Sequence, residues 1–322
     1  MKYISYIAVA MMWLLTACSS EETGMPIDKA ADGRVPLLLT ADLGDVSILA
    51  TTRAANNAWT QGDAVGVYAV ATGTTTPITD GTNVEYTASS SGASVPLAAT
   101  NHPIYLPVDY SAVDVYAYYP RQNSVTMDGQ FISVTDQTDQ TAIDWLVTGH
   151  TQYTTQGGST AITRNNPTCE LQFRHALCKL QFNLKGEGIA TQEFTDYNAT
   201  MTIGAGLYTQ ASLNLWTGAL SNFSANTTTL MPLKMNTPAA GSDMSFEAIV
   251  LPQTTTTDIT VTIRLGGTPH ADYTFLIPAS TQFAVGSKYV YNVTVRNKVV
   301  YVTSTITDWT TGVEQTIDTA YI

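Results

Sequence analysis

The sequence predicts an all-β protein with two antiparallel β-sandwich domains in tandem. Short runs rich in Thr, Val, Ile and Tyr recur between clusters of Gly, Pro, Asn and Asp, and no long stretch shows the 3.6-residue period of an amphipathic helix. The length of 322 residues suits two domains of ordinary size, with one large β domain as the alternative. No internal repeat of about 20–50 residues is detectable, which argues against a solenoid or a propeller.

The composition excludes several classes of function. The chain carries 14 Lys and Arg residues against 26 Asp and Glu residues, a net charge of −12. So little positive charge cannot neutralise nucleic-acid phosphates, and the negative surface is repelled by anionic lipid head groups. Hydrophobic residues make up 44% of the chain, enough for packed cores, and only 12% are charged. Polarity carried mainly by Thr, Ser, Asn and Gln is typical of a secreted β protein.

The first 17 residues have the features of a secretory signal peptide. Lys2 precedes an apolar run, Ile4–Leu15, that is shorter than the ~20 residues of a membrane-spanning helix. The sequence Leu15-Thr16-Ala17-Cys18 resembles the lipobox of bacterial lipoproteins, which predicts removal of residues 1–17 and lipidation of Cys18. Several acyl chains give stable membrane anchoring. An ordinary cleavage site with an incidental cysteine is the alternative.

Residues 18–34 are predicted to form a lipidated linker, and residues 35–186 the N-terminal β-sandwich domain. Within the linker, Ser19-Ser20-Glu21-Glu22 resembles the surface-export signal of some Gram-negative lipoproteins. The clearest strand patterns of the first domain are Val35–Thr40, Ala64–Val70 and Val113–Tyr119.

The apolar alternation changes phase between Cys169 and Leu184. Apolar side chains fall first on odd and then on even positions: Leu171, Phe173 and Leu177, then Leu180, Phe182 and Leu184. This change predicts a bulge or kink in one long strand, or two strands that meet. His175 shares the inward face of the first part, which predicts a buried, hydrogen-bonded structural histidine. Cys169 and Cys178 have opposite parity, which favours two buried free thiols over a local disulfide; a reactive or metal-binding pair is the alternative.

Residues 187–322 are predicted to form the C-terminal β-sandwich domain. Its predicted strands are Thr200–Ile203, Gly206–Leu215, Ser245–Leu251, Ile259–Leu265, Tyr273–Ile277, Lys288–Val295 and Val299–Ile306.

The sequence contains no familiar catalytic signature. The motifs His-Glu-x-x-His, Gly-x-Ser-x-Gly, the Walker loop and Cys-x-x-Cys are absent. The four histidines lack metal-ligand spacing. Asp136–Gln140 lacks the glycine and the terminal glutamate of an EF-hand, so a solvated polar loop is favoured over a calcium site. We therefore predict no catalytic residue, no metal and no cofactor.

A series of short motifs follows one another along the chain. They are Thr52–Ala54, Trp59–Tyr68, Ala117–Pro120, Asp144–Val147, Phe173–Leu180, Leu251–Gln253, Gly286–Tyr291 and Ile306–Trp309. Together with the lipobox, this ordered set resembles the fimbrillin family, the subunits of type V pili, over nearly the whole chain. The resemblance implies two transthyretin-like β-sandwich domains and no enzymatic activity.

The resemblance also implies a route of assembly. In that family, a lipidated precursor reaches the cell surface, and an arginine-specific protease cuts a loop that follows the first strand. Applied to this sequence, cleavage falls between Arg53 and Ala54 and leaves 322 − 53 = 269 residues. The inward side chains of the displaced strand would be Val35, Leu37, Leu39 and Ala41. An inert surface arginine at position 53 is the alternative.

In the same scheme, the C-terminal segment of another subunit fills the groove that the lost strand leaves. The candidate donor is Val313–Ile322, in which Val313, Ile317 and Tyr321 share one face and polar Gln315 and Thr319 interrupt it. Two alternatives are that this segment is the last strand of its own domain, or that Val299–Ile322 moves as one unit. Tip, stalk and anchor positions in a filament all remain open.

We therefore hypothesise that the protein is a structural pilus subunit. It would first be located at the outer membrane and then become part of an extracellular fimbrium that supports adhesion. Its partners would be other pilus subunits and the arginine-specific surface protease, with membrane contact only through the lipid anchor and no nucleic acid. The alternative is a monomeric surface lipoprotein that binds glycans or host ligands. Tyr105, Tyr110, Tyr116, Tyr118 and Tyr119 could form a sugar-stacking platform for it, but tyrosines at strand positions are more often core or sheet-edge residues, so we assign no lectin site to them. A secreted hydrolase is the third and least supported hypothesis.

Overall fold

The computed structural model describes residues 33–43, 58–149, 161–187, 198–224, 229–266, 271–296, 299–309 and 315–317. In these ranges the predicted all-β class is confirmed, since the helical structure there is one short 3₁₀ turn, Gln140–Ala142. None of the helical structure described is long and apolar enough to cross a bilayer.

The strands are numbered in chain order. Those of the first half are β1 (Leu38–Asp42), β2 (Ala64–Ala71), β3 (Val84–Ala88), β4 (Ser94–Ala99), β5 (Val113–Tyr119), β6 (Gln130–Ser133), β7 (Leu146–Val147), β8 (Thr168–Gln172) and β9 (Arg174–His175). Those of the second half are β10 (Cys178–Glu187), β11 (Thr200–Ile203), β12 (Gln210–Leu213), β13 (Leu220–Ser224), β14 (Leu233–Lys234), β15 (Met244–Val250), β16 (Gln253–Thr254), β17 (Ile259–Leu265), β18 (Ala271–Ile277), β19 (Gln282–Phe283), β20 (Ser287–Arg296), β21 (Val299–Asp308) and β22 (Gln315–Ile317).

The first sheet has eight strands in the order β8-β1-β4-β3-β2-β5-β7-β9. Its neighbours pair antiparallel except β1 and β8, which run parallel. Apolar side chains from these strands and their connections form one core, which includes Trp59 packed edge-to-face on Phe173 at 4.9 Å between ring centroids.

The second half is a sandwich. A six-stranded sheet, β14-β15-β10-β20-β21-β22, and a three-stranded sheet, β11-β17-β18, contribute side chains to a common core. In this core Phe182 of β10 contacts Phe275 of β18 and stacks on Tyr291 of β20. The predicted strands Thr200–Ile203 and Ile259–Leu265 have the predicted bounds, whereas only Gln210–Leu213 of the predicted run Gly206–Leu215 is a strand.

The chain changes sheet at Ala176 and Leu177. The strand β9 before them belongs to the first sheet, and β10 after them belongs to the second. The change of phase therefore marks the meeting of two strands and not a bulge or kink in one long strand. The chain passes from the first sheet to the second about ten residues before the predicted domain boundary at residue 186. That boundary lies near the end of β10.

A third core joins the two halves. In the small sheet β13-β12-β6, the first-half strand β6 pairs with the second-half strand β12, which also pairs with β13. Buried side chains from both halves meet around it, among them Tyr118, Ile132, Trp145, Leu177, Leu213, Ile249 and Trp309. Because this core needs residues from both halves, the halves are not independent packing units.

Candidate functional site

The first strand lies inside the first sheet rather than at its edge. β1 pairs with β4 on one side and with β8 on the other, so both of its edges are hydrogen bonded. The pairing begins before β1, where Leu37 N–H donates to Ile104 O at 2.8 Å. Leu106 N–H donates in turn to Val35 O at 2.9 Å. Residues 35–43 thus fill a space with backbone partners on both sides, which we call the β1 channel.

Side chains in the β1 channel alternate between core and surface. The inward ones are all 0–4% exposed: Val35, Leu37, Leu39, Ala41 and Leu43. Leu38, between two of them, is 42% exposed. The four residues predicted to face inward are therefore buried, as the period of two requires.

Inward side chains of β4 and β8 flank those of β1 in rows across the sheet. The two central rows consist of Leu97, Leu39 and Cys169, and of Val95, Ala41 and Leu171. All six are buried. Removal of β1 would therefore expose apolar side chains and leave β4 and β8 with unpaired backbone edges.

The two cysteines after Cys18 are buried free thiols, which confirms the favoured prediction. Burial raises the pKa of Cys169 to about 12 and raises the pKa of Cys178 well above its ordinary value. Cys169 is opposite Leu39, so β1 covers it, whereas Cys178 lies in the core of the second sandwich.

Acidic side chains line the outer face of the β1–β8 pair. The pKa of Glu170 is raised, chiefly because Glu170 shares a hydrogen bond with Asp42 and also because it is partly desolvated. Gln172 Nε2 donates to Glu170 Oε1 at 2.9 Å and opposes this shift. Strand β1, which carries Asp42, therefore also influences the protonation of Glu170.

Two arginines stack on tyrosines at one end of the channel. The Arg34 guanidinium lies 3.9 Å from the Tyr105 ring centroid. Arg164 lies 5.5 Å from the Tyr110 ring and donates from Nη2 to Gly33 O at 2.7 Å. Tyr110 is exposed and has a φ of +64°, which a bulky side chain seldom adopts.

The five tyrosines considered as a sugar-stacking platform do not share one surface. Tyr118 is fully buried and stacks on Trp145, and Tyr116 packs edge-to-face on Trp216. Tyr119 packs on Trp59 in the first core. Tyr105 and Tyr110 instead each contact an arginine at one end of the β1 channel.

The proposed processing and anchoring residues lie outside the described ranges. These are Cys18, Arg53 and Ala54, together with Val313 and Tyr321 of the candidate donor. The described chain ends at Leu43 on one side of the proposed cleavage point and resumes at Ala58, which is exposed.

Part of the candidate donor pairs with its own sheet. β22 is the edge strand of the six-stranded sheet and pairs antiparallel with β21, with Ile317 opposite Ser304. This pairing covers three residues, Gln315–Ile317. In the described state this stretch is therefore the last strand of its own sheet, one of the alternatives derived from the sequence.

His175 has the buried, hydrogen-bonded position predicted for it. Its Nδ1 lies 2.8 Å from Asp144 Oδ1, and its ring stacks on Trp309 with 3.8 Å between centroids. Among the described residues, Nε2 has no hydrogen-bond partner. The sequence did not identify Asp144 or Trp309 as partners of His175. The only feature of the sequence that singles them out is that each belongs to one of the short motifs on which the family resemblance rests.

A buried ion pair adjoins this cluster and was not predicted. Lys179 Nζ lies 2.8 Å from Glu247 Oε2, and Lys179 is 1% exposed. Burial lowers the pKa of the neighbouring Lys288, and the positive charge of Lys179 lowers it further. These groups connect β10, β15 and β20 beneath the junction of the two halves.

The described ranges contain no cluster of three or more His, Cys, Asp or Glu side chains suited to a metal ion. In the loop weighed as a calcium site, Asp136 Oδ1 accepts hydrogen bonds from the backbone and hydroxyl of Thr138. Asp139 does the same with Thr141. These bonds lower the pKa of both carboxyls, as expected for a self-bonded polar loop.

The chain is similar to known proteins in sequence and in fold. A Bacteroides uniformis protein described as fimbrium subunit Fim1C is 29% identical over 306 residues, which cover 93% of this chain and 92% of that protein. A crystal structure of a B. uniformis protein described as a cell adhesion protein has a TM-score of 0.68 and 25% identity, covering 87% of this chain and 99% of the other.

A second crystal structure, of a Bacteroides ovatus protein also described as a cell adhesion protein, shares the fold with a TM-score of 0.62 at 22% identity, covering 86% and 98% of the two chains. The family model described as fimbrillin-like matches residues 52–309, well over half of the sequence. The chain therefore belongs to the fimbrillin-like family.

Proposed function

We propose that this protein is a structural subunit of a type V pilus that polymerises by protease-triggered strand exchange. It is exported as a lipoprotein anchored through Cys18 at the outer membrane and is cut between Arg53 and Ala54 by an arginine-specific surface protease. Assembly with other pilus subunits then gives an extracellular fimbrium that supports adhesion, with no enzymatic step of its own.

The interior position of β1 is the observation that carries this proposal. A strand hydrogen bonded on both edges cannot leave without opening a channel, and a strand from elsewhere restores the lost bonds by β-augmentation. Each large apolar side chain returned to such a channel contributes about 1.5–3 kcal/mol. The proteolytic loss of β1 therefore creates a site with both backbone and side-chain affinity for a donor strand.

Assembly should depend on one arginine. We expect an arginine-specific protease to convert the purified chain into a form that begins at Ala54 and polymerises, as measured by N-terminal sequencing and size-exclusion chromatography. Arg53→Ala should remain monomeric. Arg34→Ala is the matched control, because a cut after Arg34 precedes the channel residues and leaves β1 attached; it should polymerise normally. Equal polymerisation of Arg53→Ala and the parent chain would refute the processing step.

Ligand binding by a surface monomer is the second candidate, favoured by one observation. Tyr110 is 55% exposed and lies beneath the guanidinium of Arg164, and this pairing of aromatic and cationic groups suits acidic sugars. On that hypothesis Tyr110→Ala abolishes glycan binding, whereas Arg53→Ala leaves it intact.

A further inference from the structure

We infer that a polar cleft beside the start of β3 binds an uncharged, hydroxyl-rich ligand of the size of a monosaccharide. The cleft has a volume of about 400 Å³, within the range of about 300–1,000 Å³ that is typical of small-molecule sites. The described residues that line it belong neither to the β1 channel nor to the Tyr110–Arg164 pair. The inference therefore goes beyond the proposed function and does not depend on strand exchange.

The cleft forms where three connections of the first sheet come together. The connection from β2 to β3 contributes Asp80, the chain after β4 contributes Asn101 and His102, and the chain after β5 contributes Arg121. The strands β4, β3, β2 and β5 are consecutive neighbours in the sheet, so these distant parts of the sequence reach one place. Glu85, on β3 itself, completes the wall.

The half-buried side chains of the cleft are fixed by their neighbours. Asn83 Oδ1 accepts a hydrogen bond from the Tyr118 hydroxyl at 2.7 Å. Arg121 Nη1 lies 3.1 Å from Glu85 Oε2 and donates to Asn123 Oδ1 at 2.5 Å. Because these groups are already ordered, a ligand does not have to pay for their ordering when it binds.

Polar groups of the cleft remain available to a ligand. Arg121 Nε is buried and has no hydrogen-bond partner in the described part of the chain, although most buried polar atoms have one. A ligand oxygen that enters the cleft beside Arg121 would supply this partner. Asp80, Asn101 and His102 are exposed, and no hydrogen bond connects their side chains to another described residue.

The mixture of donors and acceptors favours hydroxyl groups as the ligand. Arg121 can only donate, whereas ionised Asp80 and Glu85 can only accept. The amide of Asn101 does both. A hydroxyl donates and accepts at once, so neighbouring hydroxyls on one ring can satisfy all of these groups. Val84 is the one apolar residue among the described residues that line the cleft, so an apolar ligand would find little to contact.

The charge of the cleft favours a neutral ligand over an acidic one. Arg121 alone would suit a carboxylate, but Glu85 already pairs with it. The carboxylate of Asp80 then gives the cleft a net negative charge, and the whole chain carries −12 with histidine neutral. An anion is therefore repelled, which leaves an uncharged polyol such as a sugar ring.

Saturation-transfer NMR on the purified full chain tests the cleft with the methyl glycosides of D-glucose, D-galactose and D-mannose. At least one of them should bind with a Kd in the millimolar range. Asp80→Asn should weaken this binding about tenfold, because a carboxylate accepts hydroxyl hydrogen bonds more strongly than an amide. The variant should keep the fold, since the φ of +56° at Asp80 is one that asparagine also adopts.

Two further variants locate the binding. Arg121→Lys keeps the positive charge but removes the Nε donor, and it should also weaken binding; a thermal melt checks that it folds. Tyr110→Ala is the matched control outside the cleft and should bind like the parent chain. Loss of binding in Tyr110→Ala, or unchanged binding in Asp80→Asn, would overturn the assignment to this cleft.

The uronic acid of the best-binding hexose tests the preference for an uncharged ligand. It should bind about fivefold more weakly than the neutral sugar, because its carboxylate is repelled by Asp80. Tighter binding of the uronic acid would indicate an anion site at Arg121 and overturn the inference. Absence of saturation transfer to all three neutral glycosides would overturn it as well.

Discussion

At the scale of single residues, the Lys179–Glu247 pair places two charges in the interior, where desolvation is costly. Both side chains are buried, the ion-pair distance is 2.8 Å, and Glu247 Oε1 has no hydrogen-bond partner within the described part of the chain. A buried pair of this kind adds little net stability, but removal of either partner leaves the other charge buried without its ion-pair partner.

We therefore expect Lys179→Met to lower the free energy of unfolding by about 3 kcal/mol, measured by urea denaturation. The double variant Lys179→Met/Glu247→Met should recover most of that loss, because it removes both charges and keeps apolar volume. A single variant as stable as the parent chain would show that the Glu247 carboxylate finds compensation elsewhere.

Glu170 gives stability a pH dependence of predictable sign. Its pKa in the folded state is raised above the ordinary 4.5, chiefly through the hydrogen bond with Asp42, so the folded state binds the proton more tightly than the unfolded state. Its stabilising contribution is thus complete below about pH 4.5 and is lost as pH rises through the raised pKa.

Glu170→Gln should flatten this dependence. We expect the melting temperature of the variant to exceed that of the parent slightly near neutral pH and to approach it at acidic pH, in thermal melts between about pH 4 and pH 7. The effect is small because Glu170 is largely exposed to solvent. A larger advantage for the variant at acidic pH would contradict the assigned shift.

At the scale of elements, β1 is unusual because it stabilises only the precursor in the proposed pathway. Leu39→Ala should destabilise the unprocessed chain by about 2–5 kcal/mol, since it leaves a cavity between Leu97 and Cys169. The processed polymer, which no longer contains residue 39, should melt like the parent polymer. Leu38→Ala on the exposed face of the same strand is the control and should change neither.

The inward face of β1 was predictable from the sequence because alternation with a period of two is a local property. The partners of β1 were not predictable, because the pairing of Leu39 with Cys169 joins positions far apart along the chain. The same distinction applies to His175. Its burial follows from its neighbours in sequence, whereas the contacts with Asp144 and Trp309 arise only when distant strands meet.

At the scale of the whole molecule, the two halves share a core that sequence patterns do not reveal. β6 looks like any other strand of the first half, yet it pairs with β12 of the second. The change of phase after Leu177 marks the change of sheet, but it carries no information about this exchange of strands. A domain boundary at one residue is consequently a poor description of the junction.

The placement of this shared core bears on the proposed cleavage. None of residues 35–43 belongs to the cluster that joins the halves, which is built around Tyr118, Trp145 and Trp309. Loss of β1 would open one end of the first sheet and leave the junction intact. A processed subunit would then retain a fixed relation between its empty channel and the β21–β22 edge that holds its donor.

Titration of the Cys169 thiol would also measure the mean length of the proposed filaments. The thiol is covered by β1 before processing and, in the proposed filament, by the incoming strand of a neighbour afterwards. Only a subunit whose channel stays empty, at one terminus of each filament, would offer it to a reagent. The molar ratio of total subunits to titratable thiols would then equal the mean number of subunits per filament, a quantity otherwise obtained by imaging.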